Sequence, residues 1–225
     1  MRFLAPLFVC FVILASCEIN TPGAQPQPER YPVTDSADLR ALRSLLDLNG
    51  LDTVPINRVA EIWKIGNRVQ YLGISLGSMK LDTFHVPENF RISNLNISLS
   101  LRANRLMAWP SETRKIQNLT DLDISMNPLV DISTDQDYPN LTGLTIVNSN
   151  LANLNLSASR LTKLELLLVG GNMLTDIPRD ILKLPNLKTD VYANRICSPS
   201  AEVDAFLKRY DRAWRQYQIC PDPTP

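Results

Sequence analysis

The amino-acid sequence predicts an α/β fold: a solenoid of about six short repeats that form a curved parallel sheet, with a helical cap at each end. Three observations indicate this fold. One apolar pattern recurs along residues 58–197. It returns at a spacing of roughly two dozen residues, which is typical of repeat proteins. Segments with helical apolar periodicity precede and follow the repeats, as an array with exposed apolar ends requires.

Composition is ordinary for a globular protein and excludes several classes of function. The chain has 225 residues, of which 44% are hydrophobic and 20% charged. Its 23 basic and 23 acidic residues give a net charge of zero. The chain therefore lacks the excess of basic residues that would indicate nucleic-acid binding. His85 is the single histidine, and no zinc, redox or phosphate-loop motif occurs. We therefore expect no enzyme activity, no metal and no cofactor.

Residues 1–16 have the features of a signal peptide. Arg2 places a positive charge near the amino terminus, and the segment from Phe3 to Ala15 is apolar apart from Pro6. This apolar segment is too short to cross about 30 Å of hydrocarbon as a helix, which needs about 20 residues. We therefore exclude it from the fold.

The signal segment ends in Leu14-Ala15-Ser16-Cys17. These residues resemble the bacterial lipobox, which implies that Cys17 is diacylated and becomes the new amino terminus. Residues 17–33 then form a lipidated cysteine and a proline-rich tether to a lipid bilayer. In bacterial lipoproteins, an aspartate directly after the lipidated cysteine retains the protein at the inner membrane. This chain has Glu18 at that position, so the resemblance implies the outer membrane of a bacterial envelope. It does not indicate which leaflet of that membrane carries the protein. The alternative is an ordinary secretory signal with an incidental cysteine.

The cysteine count agrees with this interpretation. Cys10 leaves with the signal peptide and Cys17 carries the lipid, which leaves Cys197 and Cys220 as one pair. A disulfide suits an exported protein. Two reduced, buried cysteines are the alternative.

Residues 34–57 predict an N-terminal helical cap. Asp35 is a suitable N-cap for a helix that carries Leu39, Leu42 and Leu46 on one face. Asn49 and Gly50 then provide a suitable helix end.

Residues 58–197 contain the repeats, which share the pattern L-x-x-L-x-L-x-x-N-x-L. The clearest copies are LSLRANRL (99–106), LTDLDISMNPL (119–129), LTGLTIVNSNL (141–151) and LELLLVGGNML (164–174). Weaker copies are TDVYANRI (189–196) and VQYLGISLGSM (69–79). The ninth position falls at Gly77, Asn104, Asn127, Ser149, Asn172 and Asn194, so successive copies lie 27, 23, 22, 23 and 22 residues apart.

This pattern resembles the leucine-rich repeats over residues 58–197. Its alternation predicts one short strand per repeat, with Leu122, Leu144 and Leu167 directed inward on neighbouring strands. The asparagine at the ninth position can satisfy backbone groups where each strand bends away. Ser149 can do this in part and Gly77 cannot, so we expect a looser first turn.

Residues 198–225 predict a C-terminal helical cap that begins at Ser198-Pro199. Its apolar and aromatic residues share one helical face: Phe206, Leu207, Tyr210, Ala213, Trp214 and Tyr217. Cys220 would fold back to Cys197. The stretch NRIC…FLKRYDRAWRQYQIC resembles the C-terminal caps of exported bacterial leucine-rich-repeat proteins, which supports the fold and the location without implying a partner.

The inner face of a curved sheet is suited to gripping another macromolecule. Its outward positions predict a protein-binding surface made of Tyr71, Arg102, Asp121, Asp123, Met126, Val147, Leu168 and Tyr192. An outward apolar strip at Leu76, Ala103 and Met126 belongs to this prediction. Trp109, Trp214 and the loop residue His85 are expected to have structural or surface roles.

The sequence therefore predicts a membrane-anchored, monomeric lipoprotein that binds an unidentified protein and no nucleic acid. Two alternatives stay open. One is an envelope-organising lipoprotein without a discrete ligand. The other is a glycan-binding surface protein, against which the shortage of outward aromatic residues argues.

Overall fold

The computed structural model describes residues 29–65, 69–92 and 95–220. The predicted signal peptide, Cys17 and most of the predicted tether lie outside the described residues. Within them, the chain forms a parallel-sheet solenoid of about five turns with few helices. This agrees with the repeat solenoid that the leucine pattern predicts.

Ten strands and three α-helices make up the described chain. The strands are β1 (Glu29–Pro32), β2 (Ala60–Ile65), β3 (Val69–Ser75), β4 (Asn96–Ser100), β5 (Leu119–Asp123), β6 (Asp131–Ser133), β7 (Gly143–Thr145), β8 (Asn153–Asn155), β9 (Leu166–Leu168) and β10 (Lys188–Asp190). The helices are α1 (Ser36–Leu48), α2 (Ile56–Val59) and α3 (Ala201–Lys208).

Eight strands form the main sheet, in the order β1-β2-β3-β4-β5-β7-β9-β10. The first three pair antiparallel, and all later neighbours pair parallel. Leu122 lies opposite Leu144, and Leu144 opposite Leu167, with all three at 1% exposure or less. The predicted stacking of inward leucines is thereby confirmed.

The chain returns between strands over the other side of the leucine core. Two return arms contain the short 3₁₀ helices Ser111–Lys115 and Arg179–Lys183. Two others contain β6 and β8, which pair parallel with Ile132 opposite Leu154. Trp109 is half-buried against this core and donates from Nε1 to the Tyr138 hydroxyl at 2.7 Å.

The register of the first turn differs from the sequence prediction by two residues. Ile74, rather than Leu72, lies opposite Leu99, the fourth residue of the next repeat. The ninth position is therefore Met79, and Gly77 is not part of the asparagine column. Leu76 is fully buried, so its predicted place in an outward apolar strip is wrong. The apolar run of β3 fits either register, and only pairing with β4 distinguishes them.

Buried asparagines connect successive turns, at Asn104, Asn127, Asn172 and Asn194. Asn127 is representative: its Nδ2 donates to Leu101 O at 3.0 Å and to Ile124 O at 2.9 Å. Its Oδ1 accepts from Leu106 N at 3.0 Å. Each asparagine thus satisfies backbone groups of its own turn and of the preceding one. We call this set the asparagine ladder.

Ser149 interrupts the asparagine ladder between turns, and only part of the role that the sequence predicts for it is present, a bond within its own turn. Its hydroxyl donates only to Val147 O, at 3.3 Å. Leu129 N, which would meet an asparagine oxygen in a regular turn, donates to Asn127 O at 2.8 Å instead. The hydroxyl is too short to reach the neighbouring turn.

At the eighth position of the repeat pattern, the backbone is left-handed. The residues at this position are Ser78 (φ 60°), Ala103 (55°), Met126 (56°), Asn148 (55°), Gly171 (66°) and Ala193 (49°). Their amides donate to the next turn, as in Met126 N to Val147 O at 2.9 Å. This conformation turns the chain out of the sheet, and it costs an L-residue about 1–2 kcal/mol.

Helix α1 lies where the sequence predicts a helix. The Asp35 carboxylate accepts from Ala37 N at 2.8 Å and from Asp38 N at 3.0 Å. Leu42, Leu45 and Leu46 are at most 1% exposed. The helix ends at Asn49, and Gly50 follows with φ 68°.

The C-terminal region is less helical than predicted. Helix α3 begins after Ser200 and ends at Lys208, and Trp214–Tyr217 form a separate 3₁₀ helix. The Asp211 carboxylate accepts from Ala213 N at 2.8 Å, a side-chain turn that competes with helix continuation. The prediction of one continuous apolar face on a single helix is therefore wrong, and Tyr210 and Tyr217 are 43% and 39% exposed. Phe206, Leu207 and Trp214 are buried as predicted.

The Cys197–Cys220 disulfide is confirmed, with the Cα atoms 5.6 Å apart. Beside it, Gln218 extends the asparagine ladder by one step. Its Nε2 donates to Val191 O at 3.0 Å, and its Oε1 accepts from Ile196 N at 3.3 Å. These are the bonds that the asparagine of a further turn would make. The last turn is thus completed by a glutamine from the chain beyond α3.

Candidate functional site

Side chains alternate along the main sheet, so one face packs on the leucine core and the other is directed away from it. We call the second the open face. Strand pairing aligns two rows across it: Gly73, Ser98, Asp121, Gly143, Leu166 and Lys188, and Ser75, Ser100, Asp123, Thr145, Leu168 and Asp190. A third row follows the strand ends: Gly77, Arg102, Ser125, Val147, Gly170 and Tyr192.

The predicted site residues differ in exposure. Half-buried side chains are Tyr71, Arg102, Asp121, Val147 and Leu168. Met126 and Tyr192 are 46% and 42% exposed, and Asp123 is buried. Met126 lies in the left-handed turn after β5, at the edge of the open face. The structure therefore brings most of the predicted residues to one face, with Asp123 beneath it and Met126 beside it.

A layer of small polar side chains forms the centre of the open face and is almost fully buried. We call it the polar floor: Ser98, Ser100, Asp123, Ser125 and Thr145. Asp123 accepts from Ser125 N at 2.9 Å. Burial raises the pKa of Asp123, against hydrogen bonds from Ser125 and the positive charge of Arg102. Sequence reasoning placed such residues outward but did not detect their burial between larger neighbours.

Tyr192 and Gly170 fit together at the carboxyl-proximal end of the open face. The Tyr192 ring occupies the space that a Cβ on Gly170 would need. Tyr192 N donates to the Asp190 carboxylate at 3.0 Å. Burial, and next the charge of Asp190, raises the pKa of Tyr192. The glycine thus allows the exposed ring to lie flat against the strand end.

Trp63 and Gly73 make a similar pair at the other end. The nearest Trp63 ring atom would lie 2.9 Å from a Cβ on Gly73. The guanidinium of Arg30 lies 5.9 Å from the Trp63 ring centroid and 3.2 Å from a Glu61 oxygen. Sequence reasoning missed Trp63 because β2 precedes the repeat pattern. The alternation of Ala60 and Ile62 with Glu61 and Trp63 is the signal that could have found it.

Asp121 lies close to this aromatic end. The Thr120 hydroxyl donates to Asp121 Oδ2 at 2.9 Å. Burial raises the pKa of Asp121 to about 6, and the Thr120 hydrogen bond opposes the rise. No salt bridge to Asp121 forms within residues 29–65, 69–92 and 95–220.

His85 lies in an exposed loop, as expected. Its Nδ1 is 3.1 Å from Glu112 Oε1, and its Nε2 is 3.0 Å from the Thr83 hydroxyl. Asn49 fixes the His85 backbone by bonds to both its N and its O. In the described part of the chain, no group of three His, Cys, Asp or Glu residues could hold a metal ion.

Comparison with known proteins adds no assignment. No protein-family profile matches the sequence, and no curated protein matches it. Among the described helices, none has the length and apolar character needed to cross a bilayer. The open face is therefore the candidate functional site.

Proposed function

We propose that this chain is a leucine-rich-repeat lipoprotein of a bacterial envelope, and that it binds a protein partner on the open face. One observation carries the binding proposal. Arg102, Val147, Leu168 and Tyr192 lie partly exposed on one side of the sheet, over the polar floor. A mixture of aromatic, basic and apolar side chains around buried polar groups is typical of protein interfaces.

The finer description of the fold belongs to the same proposal. The buried ninth-position residues, four asparagines and Ser149, at a spacing of 22 or 23 residues favour leucine-rich repeats over other parallel solenoids. We propose about six repeats, with β3 contributing the first. Helix α1 and the region around α3 act as the end caps that a stack of open turns needs.

The membrane anchor is proposed from the sequence resemblance at Cys17. A diacylated Cys17, followed by the proline-rich stretch that leads into β1 (Glu29–Pro32), would hold the solenoid at the outer membrane. Mass spectrometry of the mature amino terminus tests this. A diacylglyceryl group on Cys17 supports the anchor, whereas an intact upstream peptide contradicts it.

Partner capture from envelope extracts tests the open-face proposal. We compare the full chain with Arg102→Glu and Tyr192→Ala, which reverse a charge and remove an exposed ring. Asn155→Arg, on the opposite side of the solenoid, is the matched control. We expect the two open-face variants to lose the captured protein and the control to retain it.

Equal capture by all variants would contradict binding at the open face. No capture by any of them would favour the envelope-organising alternative. Circular dichroism spectra of the variants would establish that each has folded.

A further inference from the structure

Beside Asp121 on the open face, Gly143 carries no side chain, and we call this position the recess. The aligned row across β3, β4, β5 and β7 reads Gly73, Ser98, Asp121 and Gly143. Neighbouring strands lie about 4.8 Å apart, so Ser98 and Asp121 are adjacent on the same face. Gly143 leaves one side of this pair without a side chain in its own row, and the Trp63 ring covers Gly73 on the other side. We call Ser98 and Asp121 the Asp121 subsite.

Two polar groups at this end are buried without partners. Ser98 is 3% exposed, and its Oγ has no hydrogen-bond partner among the described residues. The same holds for Nε1 of Trp63, whose ring covers Gly73. Buried polar groups are nearly always paired in native proteins, so two orphans beside one recess point to a ligand that supplies partners.

The charge of the recess indicates the kind of ligand. Asp121 is the carboxylate of the row, and no Lys, Arg or His within the described residues pairs with it. Its negative charge reaches Tyr71, whose pKa is raised chiefly by burial and then by Asp121. A carboxylate that is desolvated beside aromatic rings favours a cation, which neutralises it and interacts with the rings.

The same end of the sheet already contains such an arrangement within the chain. The Arg30 guanidinium lies between the Glu61 carboxylate and the Trp63 ring. At Asp121 a carboxylate and aromatic neighbours recur without the guanidinium. The missing component is therefore a basic group from outside the described chain.

We propose that the Asp121 subsite binds an arginine or lysine side chain of the protein partner. Asp121 accepts the charged hydrogen bonds and Ser98 Oγ takes a further polar contact. Trp63 Nε1 donates to a carbonyl of the same peptide segment, since an indole is a donor only. This assignment rests on the proposed binding of a protein at the open face, and it names the chemistry that one part of that face recognises.

Peptide titration tests the subsite without the natural partner. The full chain, labelled with ¹⁵N, is titrated with acetyl-Gly-Arg-Gly-amide, and the Trp63 indole signal and the amide signals of Ser98 and Asp121 are followed. Acetyl-Gly-citrulline-Gly-amide has nearly the same shape without the charge. We expect the arginine peptide to shift these signals and the citrulline peptide to bind at least about tenfold more weakly.

Two carboxylate variants provide the matched comparison. Asp121→Asn keeps the side-chain shape and is expected to lose about tenfold or more in affinity for the arginine peptide. Asp137→Asn, an exposed carboxylate outside the open face, is expected to change nothing. Unshifted Trp63 and Ser98 signals, or equal binding by both variants, would overturn the subsite.

The outcome separates this inference from the broader proposal. If Asp121→Asn captures the partner as well as the original chain does while Arg102→Glu does not, the subsite is wrong and open-face binding stands. If the arginine peptide binds at Asp121 but Arg102→Glu and Tyr192→Ala leave capture unchanged, the affinity of the subsite for a basic group stands, and both the larger interface and the assignment of that group to the partner are wrong.

Discussion

At the scale of single residues, the left-handed eighth position is filled by Ser, Ala, Met, Asn and Gly in different turns. Only glycine adopts this backbone without steric cost. The hydrogen bond that each eighth amide makes to the next turn holds the other residues in place despite that cost. Gly171 differs from the rest because its neighbour also requires the absence of a side chain.

Gly171→Ala is expected to destabilise the protein more than Gly50→Ala. Both glycines have left-handed φ values, 66° and 68°. A Cβ at Gly171 would overlap the Asn148 amide oxygen, whereas nothing lies within 4 Å of one at Gly50. We expect a loss of about 1 kcal/mol in the free energy of unfolding for Gly50→Ala and a somewhat larger loss for Gly171→Ala, because the exposed Asn148 side chain must rotate away. Urea unfolding measures both, and equal losses would contradict the overlap.

Asp121→Asn is expected to stabilise the protein at neutral pH. Burial raises the pKa of Asp121 from 3.8 to about 6, so the folded state holds its proton more tightly than the unfolded state does. The free energy of unfolding therefore falls as pH rises between about 4 and 6. Asparagine cannot ionise and removes this dependence. The variant is therefore expected to gain up to about 3 kcal/mol in the free energy of unfolding at pH 7 and to gain nothing below pH 4. Urea unfolding across this pH range is the measurement.

Glu112→Gln is the control with the opposite sign. A hydrogen bond from Val86 N, with His85 and Lys115 nearby, lowers the pKa of Glu112 from 4.5 to about 2. Its ionised form therefore stabilises the fold above pH 4.5, and that contribution disappears as pH falls through 2. We expect this variant to be less stable at pH 7 and to approach the original chain in acid. Parallel curves for the Asp121 and Glu112 variants would contradict both assignments.

At the scale of elements, the asparagine ladder explains how three-residue strands remain ordered. Strands such as β7 and β9 contribute few backbone bonds of their own. The ladder adds side-chain bonds from each turn to the one before it, in the bend where the backbone leaves the sheet. Ser149 marks the one position between Asn104 and Asn194 at which these bonds are missing.

Asn127→Ala is therefore expected to cost more stability than Ser149→Ala. The first variant leaves Ile124 O and Leu106 N without their buried partner, and Leu101 O keeps only its bond from Asn104. Each such group costs about 1–3 kcal/mol. The second removes a single hydroxyl bond of 3.3 Å. Thermal unfolding of the two variants measures the difference, and similar losses would show that the ladder carries no special weight.

At the scale of the whole molecule, the two ends of the solenoid differ in what packs against them. Helix α1 packs Leu42, Leu45 and Leu46 into the core at the amino-terminal end. At the other end, the disulfide holds the segment whose Gln218 completes the asparagine ladder. Ile219 N also donates to Asn194 O, so this segment bonds the last turn by backbone and side chain together.

The paired variant Cys197→Ser, Cys220→Ser is expected to lose about 3 kcal/mol, because the disulfide closes a loop with a sequence separation of 23. Since each turn contacts only its neighbours, hydrogen-exchange protection should fall first in residues 188–220. The turns around Leu122 and Leu144 should keep theirs. Uniform loss of protection along the chain would contradict a local role for the disulfide.

The sequence by itself determined the repeat, the inward leucines, the buried asparagines, the position of α1 and the Cys197–Cys220 pair. These features depend on local spacing, which a periodic pattern records directly. It also brought most of the predicted binding residues to one face, because alternation along a strand fixes the face of each side chain.

Only the tertiary structure decided the register of β3, the early end of α3, the role of Gln218 and the recess at Asp121. The register of β3 depends on its pairing with β4. The surroundings of Asp121 depend on Trp63, which belongs to a strand outside the repeat pattern. The burial of Ser98 follows from neighbours on other strands, not from its own sequence context. Such features arise from contacts between residues distant in sequence, which no local spacing encodes.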